Sequence, residues 1–420
     1  METIMEAVRL MESKQSEKAI QLLEDYLPVA NEDEKYTIAD LFTQWGFLHE
    51  ARDILSDLLQ QYPSESELKI MLADIYVELE DDENAIHLLN EIEQDDPDYV
   101  SALIQLADLY QTQGLFEVAE QKLLTAKQID PNEVVIDFAL GELLFSIGDY
   151  SKAIIYYQKI IPKTKEVANI SINDRLAESY AASGEYELAL SYYQDIESEN
   201  PDTMFKYGVT AYQADRKDIA IKAWEHVIEL DNYYHAAYTR LSNAYNEEHM
   251  PEEAYATAIK GIEVDEFNKE LFFSAGVFAH QFNKVDESEK WVRKAIALDP
   301  DYKEAILFLI ELFKEQDNFN GIIELVTEVK GTGADDSLYE WEIAKAYNEI
   351  ESYSDALNHY KEAYNSLNQD SDFLKEYGYF LTEEGRINEA IPVLKSYLDQ
   401  EPVDGEVEEF LNRLKQTKRS

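Results

Sequence analysis

Residues 106–120 read LADLYQTQGLFEVAE. Leu106, Ala107 and Tyr110 stand at helical spacing, Gly114 marks a helix stop, and Val118 and Ala119 open a second apolar phase. The stretch therefore spells the end of one helix, a tight turn and the start of another. Asp108 lies off the apolar stripe, and packing does not require it.

The same sentence recurs along the chain. With Ala119 as anchor, steps of 34 residues reach Ala85 and Ala51 in one direction and Ala153 in the other. The series continues through Ala189, Ala220, Ala254, Ser288, Ile322, Ala356 and Ala390, and Ala19 precedes Ala51. Twelve residues before each anchor stand Ala7, Ala39, Ala73, Ala107, Gly141, Ala177, Gly208, Ser242, Gly276, Ile310, Ala344 and Gly378, small in every unit but one, so two helices can approach closely there. Nine before the anchor, Phe42, Tyr76, Tyr110, Tyr180, Tyr245, Phe313 and Tyr347 supply bulk. Five before it, Gly46, Gly114, Gly148, Gly184 and Gly385 suit a left-handed helix end, and Pro63, Pro97, Pro131, Pro201, Pro300 and Pro402 follow twelve after it. Each unit is helix, turn, helix, turn. Neither helix can bury its stripe alone, so the units must stack into a solenoid.

Composition narrows the function. Lys+Arg number 36 against 87 Asp+Glu, a net charge of −51 that repels nucleic acid and anionic lipid. With no cysteine there is no disulfide, thiolate nucleophile or Cys-rich zinc site, as suits a reducing compartment. The opening METIMEAVRLMESK is charged throughout and no run of eighteen apolar residues occurs, so a cytoplasmic protein is expected, with no membrane insertion and no nucleic-acid partner. The seven histidines, His49, His87, His226, His235, His249, His280 and His359, form no His-x-x-x-His pair. No phosphate loop or nucleophile elbow occurs either, and acid runs such as Asp81–Glu83 fall at turns. No catalytic residue, metal site or cofactor is expected.

The stretches GDYSKAIIYYQKI (148–160) and GEYELALSYYQDI (184–196), with their small-x-x-Tyr, Gly-acid-Tyr and closing Asp-Pro pattern, resemble the tetratricopeptide repeat (TPR). The resemblance covers nearly the whole chain. It implies an all-α right-handed superhelical solenoid of about twelve units with a groove, lined by the first helices, that binds peptides or partner proteins. The whole sequence is also similar to the acidic multi-repeat cytosolic TPR proteins of Bacillus-type bacteria. That narrower resemblance implies a regulatory adaptor role, for instance in turnover of a cell-envelope biosynthetic enzyme. Some TPR proteins of such bacteria sense short signalling peptides, and a peptide sensor is the alternative reading; that class carries an extra N-terminal domain, whereas here the repeat pattern starts within the first twenty residues, which argues against the class but leaves a peptide ligand open. Clamping of a carboxylate terminus needs a basic groove, which Lys345, Lys375, Arg240 and Asn243 do not assemble.

Departures from the period suggest the organisation. Ile310 and Ile322 make the tenth unit atypical, and GTGADD (331–336) reads as a loosened turn after it. The extra residues of IPKTKEVANIS (161–171) precede a shortened unit, so a hinge is expected within 161–220. The expected divisions are an N-terminal array at 1–165 carrying an acidic groove, a C-terminal array at 166–404, and a capping helix with a basic tip at 405–420. In that helix Val407, Phe410, Leu411 and Leu414 form one stripe. Tyr212, Tyr233, Tyr234 and Tyr238 cluster near the expected hinge.

In TPR proteins the residue after the small one on the first helix tends to face the groove. Here that column reads Asp40, Asp74, Asp108, Glu142 and Glu178 in five consecutive units. One turn earlier stand Tyr36, Ile70, Ile104 and Phe138, with Asp174 breaking the apolar run. This is an acidic rail beside an apolar strip. A row of unpaired carboxylates in a concavity focuses negative potential, which a basic partner would relieve. The expected function is a non-enzymatic scaffold or adaptor, binding a basic and apolar segment of a protein or peptide along these nine residues. Reversing the charges of Asp74, Asp108 and Glu142 together is expected to abolish capture without unfolding the array.

Overall fold

A computed structural model describes residues 1–194, 199–333 and 336–417. The chain divides into two compact units, residues 1–198 and 199–420. Among the described residues 25 α-helices follow one another, from Glu2–Glu12 to Gly405–Thr417. In the fourth repeat the helices are Tyr99–Thr112 and Phe116–Ile129, antiparallel neighbours around the Gly114 turn. The other repeats follow the same scheme, and the fold is the all-α solenoid expected from the period.

The turn shows why the period is so regular. The Leu115 N–H donates to the Tyr110 carbonyl at 2.8 Å and the Gly114 N–H to the Gln111 carbonyl at 2.9 Å. Together they close the helix in a Schellman motif, which needs a left-handed residue at position 114 (φ +74°). The equivalent position is left-handed in all twelve repeats: besides the five glycines, Lys14, Glu80, Asp215, His249, Asn283, Asp317 and Glu351 adopt it. For a side-chain-bearing residue that conformation costs about 1 kcal/mol. The packing of the two helices imposes it where the sequence offers no glycine.

The column of small residues works as the spacing requires. Tyr157, four after its anchor and fully buried, lies across Gly141. Trp224 lies across Gly208 and Leu394 across Gly378 in the same way. In the tenth unit Ile310 fills the small position and the shorter Val326 stands opposite, both fully buried in one core cluster with Ile322. That unit keeps both helices, Lys303–Glu315 and Phe319–Gly331. Of GTGADD, residues 334–335 lie outside the described residues.

The extra residues after the fifth unit form a β-hairpin. Glu166–Val167 pairs antiparallel with Ile170–Ser171 around Ala168 and Asn169, both at positive φ. Helix Ile172–Ala182 then packs back on helix Tyr150–Ile160 through Ile172, Leu176 and Tyr180, whose hydroxyl accepts from Gln158 at 2.7 Å. This core carries the stack across the extra residues within the first unit. Part of the expected hinge, residues 195–198, lies outside the described residues. The final helix Gly405–Thr417 buries Val407, Leu411 and Leu414 against the preceding pair, with Phe410 half-buried. The last three residues of the basic tip, 418–420, lie outside the described residues. No described helix is long and apolar enough to cross a membrane.

Candidate partner-binding groove

In the first unit, helices Ser66–Glu78, Tyr99–Thr112 and Val134–Ser146 line a groove of about 540 Å³. Asp74, Asp108 and Glu142 stand along it, with Ile104 and Phe138 beside them. The structure thus brings five of the nine expected residues to one concavity. Val77 and Val135, which the sequence did not single out, add apolar wall and are 40% and 44% exposed. Their exposure is what an anchor-binding surface offers, since apolar area still open to water can be covered by a partner.

The other four residues lie outside the lining of that groove. Tyr36 donates its hydroxyl to Glu67 at 2.6 Å, and burial with that carboxylate pushes its pKa up to about 12. Asp40 accepts from Gln44 on its own helix at 2.9 Å. Ile70 packs half-buried on the core beneath the groove helices. Glu178 belongs to an ion-pair network.

That network corrects the expectation of five unpaired carboxylates. Arg175 grips Glu142 through Nε and Nη2 at 2.8 and 2.9 Å, and its Nη1 donates to Glu178 at 3.0 Å. Tyr157 donates a third hydrogen bond to Glu142 at 2.6 Å. Burial works against the Arg175 charge, but Glu142 and Glu178 outweigh it and hold its pKa above the usual value. Glu142 and Glu178 are therefore satisfied within the protein, and charge-assisted bonds of this kind are among the stronger ones.

The remaining rungs are unequally engaged. Asp74 accepts from Gln105 Nε2 at 3.0 Å. The protein around it strips part of its hydration and Glu78 lies one turn on, so its pKa is raised. Asp108 is exposed and has no hydrogen bond or ion pair among the described residues. The reason lies one repeat further along. Gln105 and Arg175, fourteen residues before their anchors, each reach back to the carboxylate of the preceding repeat. The corresponding residue facing Asp108 is Ala139, which has nothing to offer. Arg175 escaped the sequence reading because its partner is 33 residues away, although the period itself makes such neighbours legible.

In the second unit the same column is Val209, Asn243, Val277, Glu311, Lys345 and Tyr379. Its charges are answered locally: Lys314 bridges Glu311 and Glu342, and Lys345 pairs with Glu342 at 3.0 Å while its ammonium lies 3.9 Å from the centre of the Trp341 ring. The clustered tyrosines are also accounted for, since Tyr212 donates to Glu247, Tyr234 to Asp202 and Tyr238 to the Asn232 carbonyl. Only Tyr233 of that cluster is largely exposed. A group the sequence did not show is Glu340, His359 and Glu362, whose donor atoms lie within 4.8 Å of one another. Lys330 bonds Glu340 and approaches Glu362 at 3.6 Å, so an ammonium already supplies the positive charge that the carboxylates need.

Comparisons with known proteins agree with this architecture. Residues 111–164 match the family described as YpiA-like tetratricopeptide repeats, and residues 338–404 match the YpiA-like C-terminal tetratricopeptide repeats. Residues 174–203 match the tetratricopeptide repeat, and residues 1–114 the ARM repeat of tetratricopeptide repeat protein 21. The TPR repeat-containing protein YpiA of Bacillus subtilis (strain 168) is 41% identical over 413 residues, covering 98% of either chain. Among solved structures, YrrB, a TPR protein with an unusual peptide-binding site, is similar at 19% identity and a TM-score of 0.39, over 44% of this chain and 95% of that one. The Cut9–Hcn1 hetero-tetramer of APC/C is similar at 14% identity and a TM-score of 0.35, over 97% and 95%. With the repeat architecture and a full-length relative at that identity, the chain belongs to the YpiA-like family of tetratricopeptide-repeat proteins.

Proposed function

We propose that the protein is a non-enzymatic scaffold or adaptor that captures a partner protein through a basic and apolar segment laid in the groove of the first unit. The observation that carries this reading is Asp108, a carboxylate with no hydrogen bond or ion pair among the described residues, set beside Ile104, Phe138 and the exposed Val135. An unpaired charge in a concavity raises the local concentration of counter-charged ligand, and the apolar wall supplies area to cover. The carboxylates of the groove have no paired general base or nucleophile arrangement, so they are read as recognition groups.

The test is cross-linked capture from the native cell with wild-type protein and the D74K/D108K variant. A specific partner retained by wild type and lost by the variant, with unchanged helical content, supports the reading. Equal capture by both proteins overturns it.

A further inference from the structure

The carboxylates of the column differ in the residue that stands at the reach-back position of the next repeat: Met71 for Asp40, Gln105 for Asp74, Ala139 for Asp108 and Arg175 for Glu142. Resting on the groove reading above, we propose that the groove seats a cationic side chain at Asp108, with an apolar neighbour seated on Val135 and Phe138, and that the reach-back residue of each repeat sets whether that repeat's carboxylate is open to a partner's cation. Arg175 is the resident counterpart of that ligand. Its guanidinium makes three N–H···O bonds to Glu142 and Glu178, and it lies over the Phe145 ring at 5.5 Å. A partner's lysine or arginine beside an apolar side chain would repeat this combination of carboxylate and ring.

Two further observations limit the register. Glu142 lines the groove but its oxygens are occupied by Arg175 and Tyr157, so a second cation gains nothing at that end. At the other end Asp74 holds the Gln105 amide, whose Oε1 is buried with no hydrogen-bond partner. That amide is neutral, so it occupies one Asp74 oxygen and leaves the carboxylate's charge in place, whereas the Arg175 guanidinium offsets charge at Glu142. The occupant is therefore a protein segment with a basic residue adjacent to an apolar one, its cation seated at the rung that no neighbouring repeat answers.

The experiment selects binders from a random dodecapeptide display library on the full-length protein, then measures resynthesised peptides by fluorescence anisotropy. Peptides from wild type should carry a basic residue beside an apolar one, and replacing that basic residue with glutamine should weaken binding about tenfold, the scale of one charge-assisted contact. Adding a second lysine on the Glu142 side should change affinity by less than about twofold. In A139R the new arginine should engage Asp108 as Arg175 engages Glu142, weakening the same peptides about tenfold, while A139M, the residue type at the reach-back position for Asp40, should keep binding within about threefold. In R175Q the second lysine should become worth about tenfold. A139R binding like wild type, or that second lysine already improving wild-type binding tenfold, overturns this proposal while leaving the groove reading intact. If R175Q does not fold, A139R decides alone. Selected peptides whose binding ignores D74K/D108K overturn the groove reading, and this proposal with it.

Discussion

Tyr157 lies so close across Gly141 that a Cβ there would stand 2.5 Å from the ring's Cε1. The glycine thus decides more than helix spacing, because it lets the tyrosine hydroxyl reach Glu142 and complete the Arg175 network. Gly141→Ala is expected to destabilise the first unit by about 1–3 kcal/mol through overpacking. Chemical denaturation followed by circular dichroism checks the loss, and Gly114→Ala serves as contrast, since nothing lies near its Cβ position and only the left-handed backbone, about 1 kcal/mol, resists the change.

Asp74 should lower stability at neutral pH. Its folded pKa is raised by desolvation and by Glu78, so the native state binds the proton more tightly than the unfolded chain does. The stabilisation from protonation is complete below the ordinary carboxylate range and is lost as pH rises through the folded pKa. Asp74→Asn should therefore be more stable than wild type at pH 7, by up to about 0.5 kcal/mol for this accessible site, and the two should converge in acid. Melting curves at several pH values decide it, and an advantage that grows on acidification would contradict the account.

The three-residue charge reversal is no longer the clean experiment. Glu142→Lys sets a second cation against Arg175 and removes the acceptor of Tyr157, so the D74K/D108K/E142K protein should lose stability by about 2 kcal/mol or more, whereas D74K/D108K should stay within about 1 kcal/mol of wild type. Denaturation midpoints distinguish them. Partner binding through Asp108 should also weaken as salt rises from 50 to 500 mM, because the site is exposed.

In the second unit Lys330→Met should destabilise by about 2–3 kcal/mol at pH 7, since Glu340 is buried and would keep only His359 and Glu362 beside it. Burial works against the charged form of Glu340, but His359 and Lys330 prevail and hold its pKa below the ordinary value. Its contribution is thus present above the unfolded carboxylate range and lost as pH falls through the folded pKa. The difference between variant and wild type should shrink in acid, which denaturation at pH 7 and pH 4 would reveal.

The seven left-handed turn residues that are not glycine predict an easy gain. Glu351→Gly or His249→Gly removes a steric cost of about 1 kcal/mol at the price of some unfolded-state freedom, so stability should hold or rise by up to about 1 kcal/mol. A fall of more than that in the melting experiment would show that those side chains matter to the turn.

Five of the twelve left-handed turns were legible as glycines, but Glu80, Asp317 and the others were not, because their backbone is set by helix packing and not by their own preference. The solenoid as a whole was legible because anchors, small positions and prolines repeat together. The hairpin at 166–171 was not: Glu166–Ser171 contains no Asn-Gly signal, and Ala168 is an unusual residue for its turn. The rail was legible as a column of acids, yet a column says nothing about what the neighbouring repeat presents to it. Arg175 and Ala139 occupy the same place in their repeats and give opposite results.

That offset makes each carboxylate's availability an independent setting. One substitution at a reach-back position, such as Met71→Arg for Asp40 or Arg175→Gln for Glu142, closes or opens a rung while the small residues, anchors and turns that hold the stack remain untouched. Recognition and folding are therefore written in separate columns of the same repeat, and a lineage can rewrite what the groove prefers one repeat at a time.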